Sequence, residues 1–318
     1  MNLTWREVGI RLVRLVATIL IVTFGTTVLV GLVPGDPARY IAGDNATPEV
    51  LEAINERTGF NDPLLVRYGR WVGNILQGDM GTSHLSNQPV WQSIKERLPV
   101  TFELALLATL LSLAVAVPLA VLAASRGGSR TDRALGGVTS AMVSVPSFVA
   151  GALLLYFFAF QWRIFPVIGW TPLTENPWEN LRSAALPVLA ISLAEMVVIY
   201  RVLRSDLLTT LQQEYIAVAR SKGLSNRAVM WRHALRPSSA SIVTLSALQL
   251  ARFLGGTVVV ESLFVLPGLG TLLITAINSK DIVLLQGVVA FLAVVFLLVS
   301  FCLDLLYGVI DPRTRVAQ

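Results

Sequence analysis

The sequence predicts an all-α integral membrane protein with six membrane-crossing helices, and three observations carry that expectation. Apolar residues make up 54% of the 318-residue chain and charged residues only 14%, against roughly a quarter charged in soluble domains. The apolar residues gather in stretches close to the length of about 20 residues that a bilayer demands. Lys and Arg cluster in alternate connections between those stretches, as the positive-inside rule requires of a multi-pass chain. Strands are not expected, because an open strand edge goes unsatisfied in lipid and the runs lack barrel-type alternation.

The predicted spans are 15–33, 101–124, 135–160, 186–203, 240–261 and 282–308. Arg6, Arg11 and Arg14 precede the first, as in a signal peptide. However, the run exceeds an h-region of about 7–15 residues and ends at Pro34-Gly35-Asp36, so a retained helix is expected. Pro118 and Pro146 fall in spans two and three and Gly255-Gly256 in span five, where they kink or thin helices either along a pathway or for packing alone. The fourth span is short and holds Glu195; the sixth, led by Ile282-Val283-Leu284-Leu285, is the cleanest.

Segment 34–100 is long and patterned. Thr47-Pro48-Glu49 supplies an N-cap, a first-turn proline and an early acid, and Gly59 a stop, predicting a helix over 48–58. A second, over 64–77, places Leu65, Tyr68, Val72 and Leu76 on one face. Such a folded segment serves as a cap on the bundle or as a docking surface for an external partner. Trp162, Trp170 and Trp178 cluster at the facing ends of spans three and four, as an interfacial belt does.

One side of the predicted membrane carries 15 Lys and Arg residues and the other nine, with Arg252 inside a span. That places both termini in the cytoplasm. The chain's net charge of +5 follows membrane sidedness, and nucleic acid is not an expected partner. A single cysteine, Cys302, excludes an internal disulfide, and His84 and His233 are too far apart in sequence to suggest a metal site. No Gly-x-x-x-x-Gly-Lys-Ser/Thr phosphate loop, His-Glu-x-x-His or Gly-x-Ser-x-Gly occurs, so neither ATP hydrolysis by that route nor intramembrane proteolysis is expected of this chain. A secondary transporter working alone would leave the connection 204–239 unexplained.

That connection is the most informative segment. Glu214-Tyr215-Ile216-Ala217-Val218-Ala219-Arg220-Ser221-Lys222-Gly223 opens with an acid, carries bases in its last turn and stops at glycine, predicting a short helix. Ile216, Ala219 and Tyr215 share a face, and Ala217 and Ala219 keep the helix slim. Ser225 is placed to cap a second helix through Val229, Met230, Trp231, His233 and Leu235, which Pro237 should end before span five. A slim capped helix tied to two spans suits a groove on a partner.

Ala219-x-x-x-Gly223-Leu224 with His233-Ala234-Leu235-Arg236-Pro237 resembles the coupling loop of ATP-binding-cassette importer permeases. The general pattern Glu-Ala-Ala-x-x-x-Gly would put its Glu at Ala217 and first Ala at Val218; only Ala219 and Gly223 fit, and the terminal proline is displaced by one. With Glu214-Tyr215-Ile216 upstream, this variant is similar to the first permease of dipeptide/oligopeptide importers. The resemblance extends along the chain through Pro34-Gly35-Asp36-Pro37, Gly78-Asp79-Met80-Gly81-Thr82-Ser83, Arg97-Leu98-Pro99-Val100-Thr101, Ser144-Val145-Pro146-Ser147-Phe148, Pro267-Gly268-Leu269-Gly270 and Asp311-Pro312-Arg313.

The resemblance implies the type I importer fold, with 1–318 as a single permease domain in a bacterial cytoplasmic membrane. It implies a homologous second permease, two ATPase subunits that bind ATP and magnesium, and an extracytoplasmic substrate-binding protein. No cofactor is expected on this chain. Glu214, Tyr215, Ala217, Ala219, Arg220, Lys222, Gly223 and Leu224 are the expected ATPase-coupling residues. Peptides are the implied cargo, with nickel or glutathione as the alternative within the family. Glu195 and Arg252 lie at similar depth in spans four and five, as a structural ion pair or as groups lining the pathway. Glu103, Glu261 and Asp304 are expected as anchors near span ends.

Overall fold

The computed structural model describes residues 5–31, 37–42, 46–58 and 61–310, which are mostly helical; among them the only strand-like feature is an isolated bridge between Thr82 and Pro89. Pro34-Gly35-Asp36 and the tail from Asp311 lie outside the described residues, as does the side chain of Asp304. In chain order the helices are α1 (Trp5–Gly31), α2 (Pro37–Ala42), α3 (Pro48–Thr58), α4 (Leu64–Leu76), α5 (Val90–Ser125), α6 (Arg130–Val143) and α7 (Ser147–Leu154). There follow α8 (Pro177–Leu211), α9 (Glu214–Ser221), α10 (Asn226–Ala228), α11 (Leu235–Gly256), α12 (Val258–Leu263), α13 (Leu269–Asn278) and α14 (Ile282–Ile310).

Among the described residues, four helices are long and apolar enough to cross a membrane: α1 over Leu12–Leu29, α5, α8, and α14 over Ile282–Cys302. A fifth is reached if α6 and the run Ser147–Gln161 count as one span, but they are bent by 94°. The predicted span 135–160 is therefore broken at its middle, at the proline expected to kink it. Pro146 is the cause: it stands at the N-cap of α7 with ψ 144°, and proline drives its predecessor out of helical geometry. The predicted span 240–261 falls within α11 and α12, split at Thr257; Ser241, Thr244, Ser246, Gln249 and Arg252 dilute its apolar character. Helices α5 and α8 overrun the predicted limits 101–124 and 186–203 because backbone hydrogen bonding continues past the apolar run. Asn176 accepts from the N–H groups of Trp178 and Glu179, with Pro177 at the first helical position, and so fixes the start of α8.

The chain divides into two compact units. In the first, which combines the described residues up to Thr101 with Pro267–Cys302, Val90 and Ile94 of α5, Leu269, Leu272 and Ala276 of α13, and Leu284 and Val288 of α14 form a buried cluster. Helices α3 and α4 match the predicted 48–58 and 64–77 closely. Hydrogen bonds from its own backbone N–H and from Thr47 hold the Glu49 carboxyl below its ordinary range, the N-terminal pattern read in the sequence. The predicted apolar face of α4 is only half used. Tyr68 donates to the Leu20 carbonyl at 2.9 Å and meets Phe24 edge-on at 5.2 Å, whereas Leu65 and Leu76 remain exposed.

Three stretches of the resemblance meet in this unit. Gly78 and Gly81 adopt φ of 86° and 88°, and the Gly81 N–H donates to Asp79 Oδ1 at 2.8 Å. That turn delivers Ser83 to donate to Asp281 Oδ2, while Asp281 Oδ1 caps α14 at Leu284. A Cβ at Gly81 would stand 2.6 Å from Val283 Cγ1, so only glycine fits. Thr101 Oγ1, fully buried, accepts from the Leu269 N–H at 2.8 Å and caps α13, whose own N-cap, Gly268, has no side chain to do so.

The second unit joins Phe102–Leu266 with the end of α14. Its core sets an alanine stripe of α5 (Ala116, Ala120, Ala123, Ala124) against Met196, Ile199, Leu203 and Leu207 of α8, closed by Met230, Ala234 and Ile242. Small residues on α5 let α8 approach closely. Gly151 serves the same end on α7, where a Cβ would meet Leu263, Phe264 and Ala190 at 3.0–3.4 Å. Glu261, expected as a water-facing anchor, is instead fully buried and accepts from the Thr257 hydroxyl at 2.7 Å. The reason is that α12 packs against α7 and α8.

Candidate functional site

The connection between α8 and α11 folds as a helix–turn–helix built against the second unit's core. Helix α9 ends in a paired motif: the Gly223 N–H donates to the Arg220 carbonyl at 2.9 Å and the Leu224 N–H to the Ala219 carbonyl at 3.4 Å. This is the six-to-one, five-to-two arrangement of a Schellman cap. It requires a left-handed residue, and Gly223 has φ 79°. A Cβ there would meet no atom within 4 Å, so backbone conformation alone selects glycine.

One face of α9 is anchored. Ile216 and Ala219 are buried against Val229, with Leu211 alongside. Ala219 therefore faces the chain's own core, while Glu214, Tyr215, Ala217, Arg220, Lys222, Gly223 and Leu224 are exposed. Among them Tyr215 is 46% exposed, and two residues that the motif alone did not single out join it: Val218 at 52% and Trp231 at 47%. Tyr215, Val218 and Lys222 fall at i, i+3 and i+7, a spacing that helical periodicity could have flagged.

Ser225 Oγ accepts from the Ala228 N–H at 3.3 Å, the predicted cap. Pro237, however, does not end the run. After α10 the backbone widens into i→i+5 turns over Val229–Ala234 and passes directly into α11, leaving Pro237 in that helix's first turn, where proline is tolerated. In a regular ladder Pro237 would deny the His233 carbonyl its donor; the Tyr215 hydroxyl donates to that carbonyl at 3.3 Å. Tyr215 thus links α9 to the base of α11.

Higher on the same two helices, Glu195 of α8 is 5% exposed. Gln249 and Arg252 of α11 lie near enough to act on its carboxyl electrostatically, yet Oε1 lacks a hydrogen-bond partner. Among the described residues no ion pair within 4 Å joins Glu195 to Arg252, which is itself exposed. Equal depth brings the two charges onto neighbouring helices without closing an ion pair between them.

A stronger electrostatic joint went unread in the sequence. Arg204 of α8 holds Asp132 of α6 bidentately, Nε to Oδ1 at 2.6 Å and Nη2 to Oδ2 at 2.7 Å. Asp132 is 5% exposed and also accepts from the Gly128 N–H at 3.0 Å. Ser129-x-x-Asp132 is a capping signature, and Ser129 Oγ does accept from the Asp132 N–H; the pattern marks the helix start but not the distant arginine.

The family model described as the binding-protein-dependent transport system inner membrane component matches residues 116–316, and its N-terminal companion matches residues 6–105. A Brucella abortus protein named for a peptide transport system permease is 39% identical over 305 residues, covering 96% of this chain and 97% of that protein. A Sinorhizobium fredii protein named for a peptide ABC transporter permease is 37% identical over 307 residues, covering 96% and 97%. A glutathione transport system permease protein of Salmonella paratyphi A is 34% identical over 308 residues, with the same coverage.

Proposed function

The chain belongs to the binding-protein-dependent transport system inner membrane components, and from that premise we propose that it is the first permease subunit of an ATP-driven peptide importer. It forms half of a translocation pathway with a homologous second permease, receives peptide from an extracytoplasmic binding protein, and is driven by two separate ATPase subunits that carry ATP and magnesium. Residues 1–318 act as one permease domain in the bacterial cytoplasmic membrane, with both termini and the connection 204–239 in the cytoplasm. Segment 34–100 lies outside. The six-crossing count follows if α6 with α7 and α11 with α12 each complete a crossing in the assembled transporter.

The observation that carries the coupling role is the form of α9: a slim capped helix whose inner face is anchored by Ile216 and Ala219 and whose outer face presents Tyr215, Ala217, Val218 and Lys222. ATP-driven closure of the ATPase pair would push α9, and α8 and α11, continuous with it through Leu211 and Tyr215, would tilt as levers. Peptide is favoured as cargo by the names of the Brucella and Sinorhizobium relatives; glutathione, itself a tripeptide, is the second reading, favoured by the Salmonella relative.

The test is co-purification of the tagged full-length chain from its native membrane. Recovery of two ATPase subunits and a second permease, with peptide on the cognate binding protein, is the expected result. Recovery of a homo-oligomer that takes up solute without an ATPase would refute the proposal.

A further inference from the structure

Between α6 and the C-terminal half of α8 lies a cleft of about 340 Å³ that the coupling role does not use. Its lining is basic: Arg133, Arg201 and Arg204 face it, against the one carboxylate of Asp132. Asp132 is already engaged by Nε and Nη2 of Arg204, so its charge is spent on that pair. Among the described residues neither Arg133 nor Arg201 enters an ion pair within 4 Å. Arg201 is steadied over the cleft by Ser140, whose Oγ accepts from Nη2 at 3.2 Å.

With three guanidinium groups against one carboxylate, the pocket carries net positive charge and attracts an anion. A second, independent feature sits in the same lining. Tyr200 is 2% exposed, and its buried hydroxyl has no hydrogen-bond partner. Buried hydroxyls without partners are uncommon and costly.

We propose that this cleft binds a phosphate group, presented by an anionic phospholipid headgroup or as a free phosphate. Planar guanidinium groups recognise phosphate oxygens with paired, charge-assisted hydrogen bonds, and Arg133 and Arg201 stand on two different helices. A bound phosphate therefore ties α6 to α8 beside the Asp132–Arg204 joint. The site is separate from α9, and its chemistry does not depend on the cargo.

The experiment uses the full-length chain in dodecyl maltoside. Phosphatidylglycerol in phosphate-free buffer is one arm, followed by native mass spectrometry; radiolabelled inorganic phosphate in equilibrium dialysis is the other. Retention of the lipid alone identifies the headgroup, and retention of inorganic phosphate identifies the free anion. Arg133→Gln with Arg201→Gln is expected to weaken the retained ligand about tenfold. Gly136→Leu leaves every charge in place, adds bulk where a Cβ would meet nothing within 4 Å in the cleft lining, and should also displace the ligand. The proposal is overturned if the wild-type chain retains neither ligand, or if both variants, folded by circular dichroism, retain it with unchanged affinity.

Discussion

Gly223 shows how much one backbone angle decides. Its φ of 79° serves the cap of α9, and open space around its Cα removes any steric reason for glycine. Gly223→Val should cost about 1–3 kcal/mol in backbone strain and abolish uptake at normal membrane levels. Gly223→Asn, which tolerates the left-handed region, should keep most of it. A cellular uptake assay with immunoblotting of membranes separates the two; normal transport by the valine variant would remove the cap from the mechanism. At Tyr215 the prediction is smaller, because the bond to the His233 carbonyl is exposed. Tyr215→Phe should lower stability by about 0.5 kcal/mol, and Pro237→Ala in the same chain should offset it by restoring a backbone donor. Glycine and capping serine were legible as letters because their roles are local. The Tyr215–His233 contact was not, since it joins residues 18 apart across a turn of unread geometry.

Between elements, the bonds that matter run from side chain to distant backbone or charge. Thr101 caps α13 from α5. Thr101→Val keeps the shape, leaves the Leu269 N–H unpaired in a buried site, and should cost about 1–3 kcal/mol, read as a lowered unfolding temperature of the purified chain. Arg204→Gln should cost more than the double variant Asp132→Asn, Arg204→Gln, because the single change strands a buried carboxylate. Arg204 is a third exposed, which moderates the loss to about 2 kcal/mol. Equal stability of single and double variants would show that the pair does not join α6 to α8. The sequence placed the helices from apolar runs and caps, and α3, α4 and α9 came out close to their predicted limits. It placed α5 and α8 too short, since an apolar run reports the lipid-facing length and not where hydrogen bonding stops. The break at Pro146 was visible as a proline; its 94° angle was not, because a proline marks where a helix stops and not the direction of the next one.

Over the whole molecule, composition and motif order established the class, and family membership rests on matches spanning most of the chain. The chain's single cysteine makes the proposed orientation directly measurable. In a Cys302→Ser background, Ser225→Cys should react with a membrane-impermeant maleimide only from the cytoplasmic side, and Asn61→Cys only from the opposite side. The reverse pattern would invert the topology. In the proposed transporter, α9 is where an ATPase subunit pushes. The most direct test is photo-crosslinking from position 217, exposed on α9, in native membranes containing the whole transporter. The expected result is an adduct of this chain with the ATPase subunit that changes in yield when ATP is added. A probe at 217 that stays free in the assembled, transporting complex would contradict it.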